Sequence, residues 1–403
     1  MPDFEKIFRL DKVLRTGVFP GLADKSPPAL VDSRNIIWDE ESLQPIPGQA
    51  KLFPRQASLP VLGMTSLYIS GVKWLYFANQ DEWRKWDGTT HSVAGSGFTG
   101  TDRNLWSAVP WGPWVIATNA VNVPQVDKGA GFVALGGSPP STVEVFVKFK
   151  NFLLGFNTSL SPTEIIWSQS DNPEVWTAAA TNDAGKRNAR DLDSPIRAAA
   201  LLGNSIAYYS ENEMRAVQYI GGTSIFNSIP LLKGIGALGK NCVVPVGRYH
   251  FGWGRKGIWR TDGTGFDYLD QPAVRDFIRQ TLNEDMQDIV CGFHYPQHHL
   301  VGFFYPGVGQ IANTIGLGMN YLGDPSWWVI GYGRSVFLEE SVFGNPLFGT
   351  SDGDVLEQSL EHSVPTSLDD PLRMSSTFSL DAGFGQTGFG QLGFGGVGSP
   401  ENG

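Results

Sequence analysis

Short apolar segments separated by turn residues recur along most of the chain. From about residue 61, an apolar strand, a turn, a second strand, another turn and a third strand follow one another, and the third often ends in Asp-Gly, as at Asp87-Gly88 and Asp262-Gly263. Short apolar runs bounded by turn residues predict antiparallel strands. This unit occurs seven times, with third strands centred near residues 85, 126, 166, 217, 259, 318 and 356.

The spacing of these units predicts the architecture. Successive centres are about 45 residues apart, which is within the range of blade repeats in propellers. A single three-strand sheet would leave both faces exposed, whereas sheets packed around an axis bury each other. We therefore expect an all-β fold, a β-propeller of about six or seven blades. The fourth strand of each blade is poorly marked in the sequence.

Three regions follow from this pattern. Residues 1–60 are rich in proline and are expected to be an extended N-terminal segment that contacts neighbours or wraps the propeller, with one short helical stretch between Pro28 and Ile36. Residues 61–360 are expected to form the β-propeller. Residues 361–403 form a C-terminal segment of different composition.

One helix is expected as an insertion near residues 270–283. Asp270 is placed to cap its N-terminus and Pro272 lies in its first turn. An apolar stripe follows at helical spacing, formed by Val274, Phe277, Ile278 and Leu282. Such a stripe favours packing against the parent domain over binding a partner.

The C-terminal segment contains a five-residue Gly-Phe repeat between residues 383 and 396. Glycine at this density is costly to order, so one interpretation is a loosely packed arm. The other is a subunit-contact arm, in which Phe384, Phe389 and Phe394 sit in pockets of a neighbouring subunit. Both interpretations stay open at this point.

Composition and charge narrow the classes of function. Aromatic residues make up 12% of the chain and charged residues only 17%, which suits many short strands packed face to face. The net charge of −10 argues against a protein that grips nucleic acid through its phosphates. It is compatible with a surface that DNA passes without binding, and an acidic lumen is expected if the chain forms a ring. Neither a signal peptide nor a membrane helix is indicated.

Sites for cofactors and metals are not supported. The segment Gly234–Gly239 matches a dinucleotide fingerprint by its glycines, but a strand and not a helix is predicted to follow, so a tight turn is expected. His294, His298 and His299 lack a carboxylate or thiol at ligand spacing, and a turn is favoured over a metal site. Cys242 and Cys291 are expected to be buried free thiols. We predict no catalytic residues, no metal and no cofactor.

The segment from Gln169 to Trp176 is the strongest indication of an enzyme. It resembles the Asp-box turn of sialidase-like propellers, although Gln169 replaces the expected Ser and Pro173 the expected Gly. Even a true Asp-box is a structural hairpin. A glycosidase also needs two carboxylates placed across a cleft, and no pair is identifiable from the sequence.

Several sequence segments, taken together, resemble the tail nozzle or tail hub proteins of short-tailed, podovirus-type bacteriophages. These proteins are also called packaged-DNA stabilisation or tail tubular B proteins. The first segments are Pro28–Asn35 and Leu43–Gly48, and the next are Trp167-Ser168 and Asn172–Trp176. The last begins at Gly234–Val243 and continues through Gly257–Gly263 to the helix around Val274–Ile278. The likeness covers roughly residues 20 to 310. The Gly-Phe repeat has no counterpart in it.

The resemblance implies a structural virion protein, not an enzyme. A homo-oligomer, a hexameric ring by family likeness, would conduct DNA without specific binding and join the head-to-tail adaptor protein to a tail needle, plug or fibre proteins. Its location would be the phage tail, after assembly in the host cytoplasm and without membrane contact. Two alternatives stay open: a sialidase-like propeller that binds or hydrolyses carbohydrate, and a scaffolding propeller unrelated to phages.

Overall fold

The apolar runs of the sequence form strands that are buried on both faces. The computed structural model describes residues 30–34, 36–39, 42–46, 48–322, 327–339, 341–358 and 373–376. In the strand Ser205–Tyr209, side chains on both faces of the sheet are buried, because the sheet packs against a neighbouring sheet on each side. Burial on both faces explains why these strands are apolar throughout and do not alternate with polar residues.

The first five sheets are each built from one continuous stretch of chain, and we number these blades in chain order. The order of strands within each sheet follows the sequence, from the innermost strand to the outermost. Blade 1 contains Gly63–Ile69, Val72–Ala78, Glu82–Trp86 and His91–Ser96. Blade 2 contains Ser107–Trp111, Trp114–Thr118, Gln125–Asp127 and Phe132–Ala134. Blade 3 contains Val143–Phe149, Phe152–Thr158, Ser161–Trp167 and Gly185–Asn188. Blade 4 contains Ala198–Leu202, Ser205–Tyr209, Glu213–Tyr219 and Phe226–Lys233. Blade 5 contains Val243–Val246, Tyr249–Gly254, Gly257–Thr261 and Phe266–Tyr268.

The last two blades also use strands from the ends of the chain. Blade 6 contains Cys291–Tyr295, Leu300–Pro306, Asn313–Asn320 and Trp327–Ile330. Its sheet continues outward with Leu30–Arg34, parallel to Trp327–Ile330, and then with Arg373–Ser376, antiparallel to Leu30–Arg34. Blade 7 contains Val336–Leu338, Leu347–Gly349 and Val355–Gln358, and its outermost strand is Gln49–Lys51. Ile36–Asp39 and Ser42–Pro45 form a separate hairpin.

The blades form a closed ring with an apolar seam between each neighbouring pair. The innermost strand of every blade contacts the innermost strand of the next, and the strand Val336–Leu338 of blade 7 contacts Gly63–Ile69 of blade 1. Six buried clusters fill the seams, and the cluster that joins blade 7 to blade 1 includes Val336, Leu347 and Phe77. A closed ring removes the exposed faces that a single sheet would have.

The structure is therefore a seven-bladed β-propeller, which confirms the predicted fold class and fixes the number of blades at seven. The strand Gln49–Lys51 of blade 7 comes from the segment that the sequence placed before the propeller. The stretch between Pro28 and Ile36 contains the strand Leu30–Arg34 instead of the expected helix, because the backbone pairs with Trp327–Ile330 and Arg373–Ser376. Within the described ranges, the single α-helix is too short to cross a membrane.

The inserted α-helix, Pro272–Thr281, lies between blades 5 and 6. Val274 and Ile278 are buried, and Phe277 and Leu282 pack against the same cluster, as the predicted stripe requires. The expected cap is wrong: the N-cap residue is Gln271, and no side chain caps this end. The carboxylate of Asp270 is instead fully buried and accepts a 2.9 Å hydrogen bond from Nε of Arg275.

The two faces of the ring differ in what they carry. Because strands alternate in direction, the loops between second and third strands and the connections between blades lie on one face, which we call the upper face. The helix and the 3₁₀ segment Glu284–Ile289 belong to the connection between blades 5 and 6, so both lie on the upper face. The remaining turns of the blades lie on the lower face.

Candidate functional site

One lysine side chain reaches across the axis of the propeller near its upper end. Nζ of Lys240, in the connection between blades 4 and 5, donates hydrogen bonds to the carbonyl oxygens of Leu105 (2.7 Å) and Glu144 (3.2 Å). It also forms a 2.8 Å ion pair with the carboxylate of Glu144, and the lysine side chain is only 6% exposed. Because Leu105 precedes blade 2 and Glu144 lies in blade 3, this side chain spans the axis.

Lys240 satisfies backbone groups that the fold leaves open. The innermost strand of a blade has no strand on its axial side, so its backbone acceptors there need other donors. A charged donor makes stronger hydrogen bonds than a neutral one, and the Glu144 carboxylate balances its charge. The arrangement crosses the axis and ties blades 2, 3 and 5 together.

A second layer lies over the axis on the upper face. Asp288, in the segment Glu284–Ile289, accepts two hydrogen bonds from Arg103, at 2.9 and 2.8 Å, and Arg103 lies between blades 1 and 2. Beside this pair, Glu211 binds Arg197 at 2.8 Å and Arg255 at 3.1 Å. A small pocket of about 110 Å³ lies among these charges. The surface over the axis is therefore made of paired charges and offers polar contacts to a partner.

A second, larger pocket lies beside this surface, between the helix and blade 5. Its volume is about 680 Å³, in the size range of ligand-binding sites. Four cationic side chains line it: Arg255, Lys256, Arg275 and Arg279. Leu238, Trp253, Ile278 and Leu282 give it apolar surface, and Asp270 and Glu284 are its two acidic residues. We call it the helix pocket.

The charges of the helix pocket are only partly neutralised within it. The hydrogen bond to Asp270 raises the pKa of Arg275, and that carboxylate lies so close to Gly257 that a Cβ there would be 2.4 Å from its oxygen. Arg279 is 71% exposed and has a loose 3.6 Å contact with Asp276. Lys256 is exposed. The lining thus has four cations and two acidic residues, and Glu211 outside the pocket also binds Arg255.

The histidines do not form a metal site in the described ranges, where no group of three or more candidate ligands was found. His294 contacts Glu339 through Nδ1 (2.8 Å) and Tyr321 through Nε2 (3.0 Å), so both ring nitrogens have protein partners. Pro296–His298 form a 3₁₀ turn and His299 has a left-handed backbone. The structure therefore contains the turn that the sequence predicts at these histidines.

The Asp-box-like segment is a hairpin between the third and fourth strands of blade 3. Trp176 is buried beside Phe146, with ring centroids 6.1 Å apart. Asn172, not Asp171, accepts the amide hydrogen bond of Glu174 at 3.0 Å, while Asp171 accepts one from Asn151. The segment fills the space between blades 2 and 3 and does not place two carboxylates across a cleft.

The glycine-rich segment 234–239 connects blade 4 to blade 5. A Cβ at Gly236 would be 2.1 Å from the carbonyl oxygen of Glu211, and one at Gly239 would be 2.0 Å from that of Asp288. These glycines allow backbone segments to approach each other, and no helix follows them. The predicted absence of a following helix is confirmed, but the segment is an irregular connection with bends and not a tight turn.

The two cysteines are the buried free thiols that the sequence predicts. Cys242 and Cys291 are free and buried, and burial raises their thiol pKa values to about 11 and 12. Neither thiol is therefore a ready nucleophile at neutral pH. Phe384, Phe389 and Phe394 lie outside the described residues, so the contact arm stays a prediction.

Sequence reasoning missed both Lys240 and the helix pocket. Lys240 follows the glycine-rich segment, and nothing in its neighbours signals that it crosses the axis. The pocket combines a loop of blade 5 with an inserted helix, so its cations are separated in the sequence. Two arginines one turn apart on the helix, Arg275 and Arg279, were the one local signal.

Comparison with known proteins supports the fold and nothing finer. No protein-family model and no curated protein sequence matches the chain. Among solved structures, the WD40 β-propeller domain of Doa1 is similar with a TM-score of 0.52 and 11% identity, over 80% of this chain and 100% of that one. The likeness shows the fold. A structure of YCF48 bound to D1 peptide covers 84% of this chain and 100% of that one, at 10% identity and a TM-score of 0.49.

Proposed function

We propose that this propeller is a non-enzymatic structural protein, the subunit of a ring-shaped nozzle or hub in a short phage tail. The order of the sequence segments that resemble tail nozzle proteins supports the tail assignment, and the propeller fold is compatible with it. The single structural observation behind the proposal is that Lys240 crosses the axis of the disc, while strands from before and after the propeller add at its rim. A disc with a crossed axis and additions at the rim suits assembly better than catalysis.

The side chains that cross the axis bear on where DNA would pass in the proposed ring. Lys240 and the Arg103–Asp288 pair cross the centre of the propeller near its upper face, so the proposal does not route DNA through the axis of one copy. In the proposed ring, DNA passes through the lumen between copies of the chain. We expect acidic side chains to line that lumen, because phosphates are then repelled from its wall.

The rim of blade 6 supports a ring of copies. Its sheet has six strands, and the outermost, Arg373–Ser376, pairs on one side with Leu30–Arg34. Within the described ranges its other edge pairs with no strand. Open strand edges are sites where another chain can add. Contacts between copies at this rim would leave the upper and lower faces for the adaptor and for a needle, plug or fibre.

The oligomeric state tests the proposal most directly. Native mass spectrometry of the full chain, alone and mixed with the adaptor encoded near it, should show a ring of six copies of the 44.0 kDa chain, formed alone or on the adaptor. Imaging of the particle should then place the ring below the adaptor. A strict monomer that also fails to bind the adaptor would contradict the proposal.

The carbohydrate alternative gains no support from the described residues, because the Asp-box-like turn is a packed hairpin. It is tested separately with a glycan array and aryl glycosides. We expect no binding and no turnover. A reproducible hit would favour the carbohydrate function over the tail assignment.

A further inference from the structure

The helix pocket has the properties of a peptide-docking site. Its walls carry Arg255, Lys256, Arg275 and Arg279, and its apolar surface comes from both the helix and blade 5. Trp253 is nearly fully buried, so its ring forms part of a firm wall. A site of this kind fits a segment that carries both apolar rings and negative charge.

Residues 377–403 match these properties. The segment contains no Lys or Arg, carries Asp381 and Glu401, and spaces Phe384, Phe389 and Phe394 at five-residue intervals. Guanidinium groups attract the faces of aromatic rings, and carboxylates pair with arginine. The glycines on both sides of each phenylalanine carry no side chain to obstruct the approach of the backbone.

The last described strand ends on the face of the propeller opposite to the helix pocket of the same copy. Trp327–Ile330 ends at the upper face, Leu30–Arg34 runs parallel to it, and Arg373–Ser376 runs antiparallel to Leu30–Arg34. The chain therefore leaves Ser376 at the lower face of the rim, while the helix pocket lies on the upper face of the same copy. The 27 residues that follow could extend about 90 Å, enough to reach an adjacent copy.

We propose that the Gly-Phe segment of one copy docks in the helix pocket of a neighbouring copy. Its phenylalanines pack against the apolar wall and the arginines, and its acidic residues meet the cations of the pocket. The inference rests on the proposed function only in requiring a second copy. It assigns a role to the pocket and to a repeat that the tail resemblance does not explain.

Site-specific photocrosslinking of the full chain tests this docking. A benzophenone amino acid replaces Phe389, the protein is irradiated, and the products are separated by mass and mapped by mass spectrometry. We expect covalent dimers in which position 389 is joined to Pro272–Thr281 or to residues 253–257. Links within one copy only, links to other surfaces, or no link would overturn the inference.

Charge reversal at exposed positions provides the matched comparison. Lys256→Glu together with Arg279→Glu should reduce the crosslinked dimer at least tenfold, while Arg187→Glu, an exposed arginine on the outer strand of blade 3, should leave it unchanged. Equal urea midpoints would show that all variants are folded. An equal loss in both charge variants, or in neither, would contradict specific docking in the pocket.

Native mass spectrometry of the same samples separates this inference from the proposed function. Rings without a crosslink to the pocket would overturn the docking alone. Monomers that do not bind the adaptor would contradict the tail assignment and, with it, docking between copies.

Discussion

The seam between blades 4 and 5 and the closure of blade 7 hold the ring in different ways. At the first, two blades made from continuous chain bury aromatic rings, with Tyr209 stacked on Trp259 at 5.1 Å. At the second, strands of three and four residues are completed by Gln49–Lys51, which lies about 300 residues away in the sequence.

The closing strand is selected mainly by polar contacts. Oε1 of Gln49 accepts hydrogen bonds from Arg334 at 2.8 and 2.7 Å, and Nε2 of Gln49 donates one to Gln358 at 2.9 Å. Lys51 and Arg55 both bind Asp354. A short strand buries little apolar surface, so its register depends on these directional contacts. Apolar area stabilises the seam between blades 4 and 5, whereas hydrogen bonds specify the register of the strand that completes blade 7.

Replacing Trp259 with alanine should give the largest loss. The ring is fully buried on Gly252, and its Nε1 donates to the carbonyl oxygen of Gly236 at 2.8 Å. Removing a buried tryptophan should lower the free energy of unfolding by about 4 kcal/mol, measured by urea denaturation. Val133→Ala, at a 59% exposed position of blade 2, should cost less than about 1 kcal/mol. Equal losses would show that the seam is not a principal source of stability.

Gln49→Ala should destabilise blade 7 by about 2 kcal/mol, because the nearly buried Arg334 guanidinium loses an acceptor. Hydrogen exchange should accelerate in Leu347–Gly349 and Val355–Gln358 and change little in blade 4. The control Gln218→Ala removes an exposed glutamine of blade 4 and should change stability by under about 0.5 kcal/mol. Uniform acceleration in all blades would mean that closure is not a local event.

His250 makes the seam between blades 4 and 5 sensitive to acid. It is buried between Tyr209 (Nδ1, 2.8 Å) and the carbonyl oxygen of Leu201 (Nε2, 2.7 Å), so Nε2 carries the proton of the neutral ring. Burial lowers the pKa of His250 to about 4. The unfolded chain binds this proton below pH 6.5 and the folded chain does not, so stability falls as the pH drops from 6.5 towards 4.

A variant measures this contribution. The difference in free energy of unfolding between the native chain and His250→Gln should shrink by about 1.5 kcal/mol between pH 6.5 and pH 5. Carboxylates titrate in both proteins, so their effect cancels in the difference. A difference that is constant with pH would refute the assignment.

Asp354→Asn should have the smallest effect, about 1 kcal/mol in low salt, because Lys51 and Arg55 are partly exposed. The hydrogen bond from Arg55 lowers the pKa of Asp354, so its contribution is present above the carboxyl pKa of the unfolded chain and is lost as the pH falls. The effect should also decrease in 1 M salt. Asp267→Asn is the control, because its partner Arg260 is near the surface, and it should leave the free energy of unfolding unchanged.

The sequence predicted most of the architecture because inner strands carry a strong signal. Trp114–Thr118 and Ser205–Tyr209 are apolar runs inside their blades and are buried on both faces. Outer strands such as Gly185–Asn188 face solvent and need no apolar residues, so they left no pattern. Gln49–Lys51 is a strand only because its partner exists far away in the chain.

The candidate site was less predictable for the same physical reason. Asp270 has the residue type and position of a helix cap, but burial under Gly257 and the bond to Arg275 turn it away from the helix end. Lys240 and the helix pocket depend on contacts across the axis or between an insertion and a blade. Local patterns carry no information about such contacts.

The closing strand also sets the order of events during synthesis. Gln49–Lys51 leaves the ribosome among the first parts of the propeller, and its partner Val355–Gln358 among the last. At about 5–20 residues per second, the early strand waits about 15–60 s for its partner. During that time, its small length and the charge of Lys51 make it a poor template for pairing with other nascent chains.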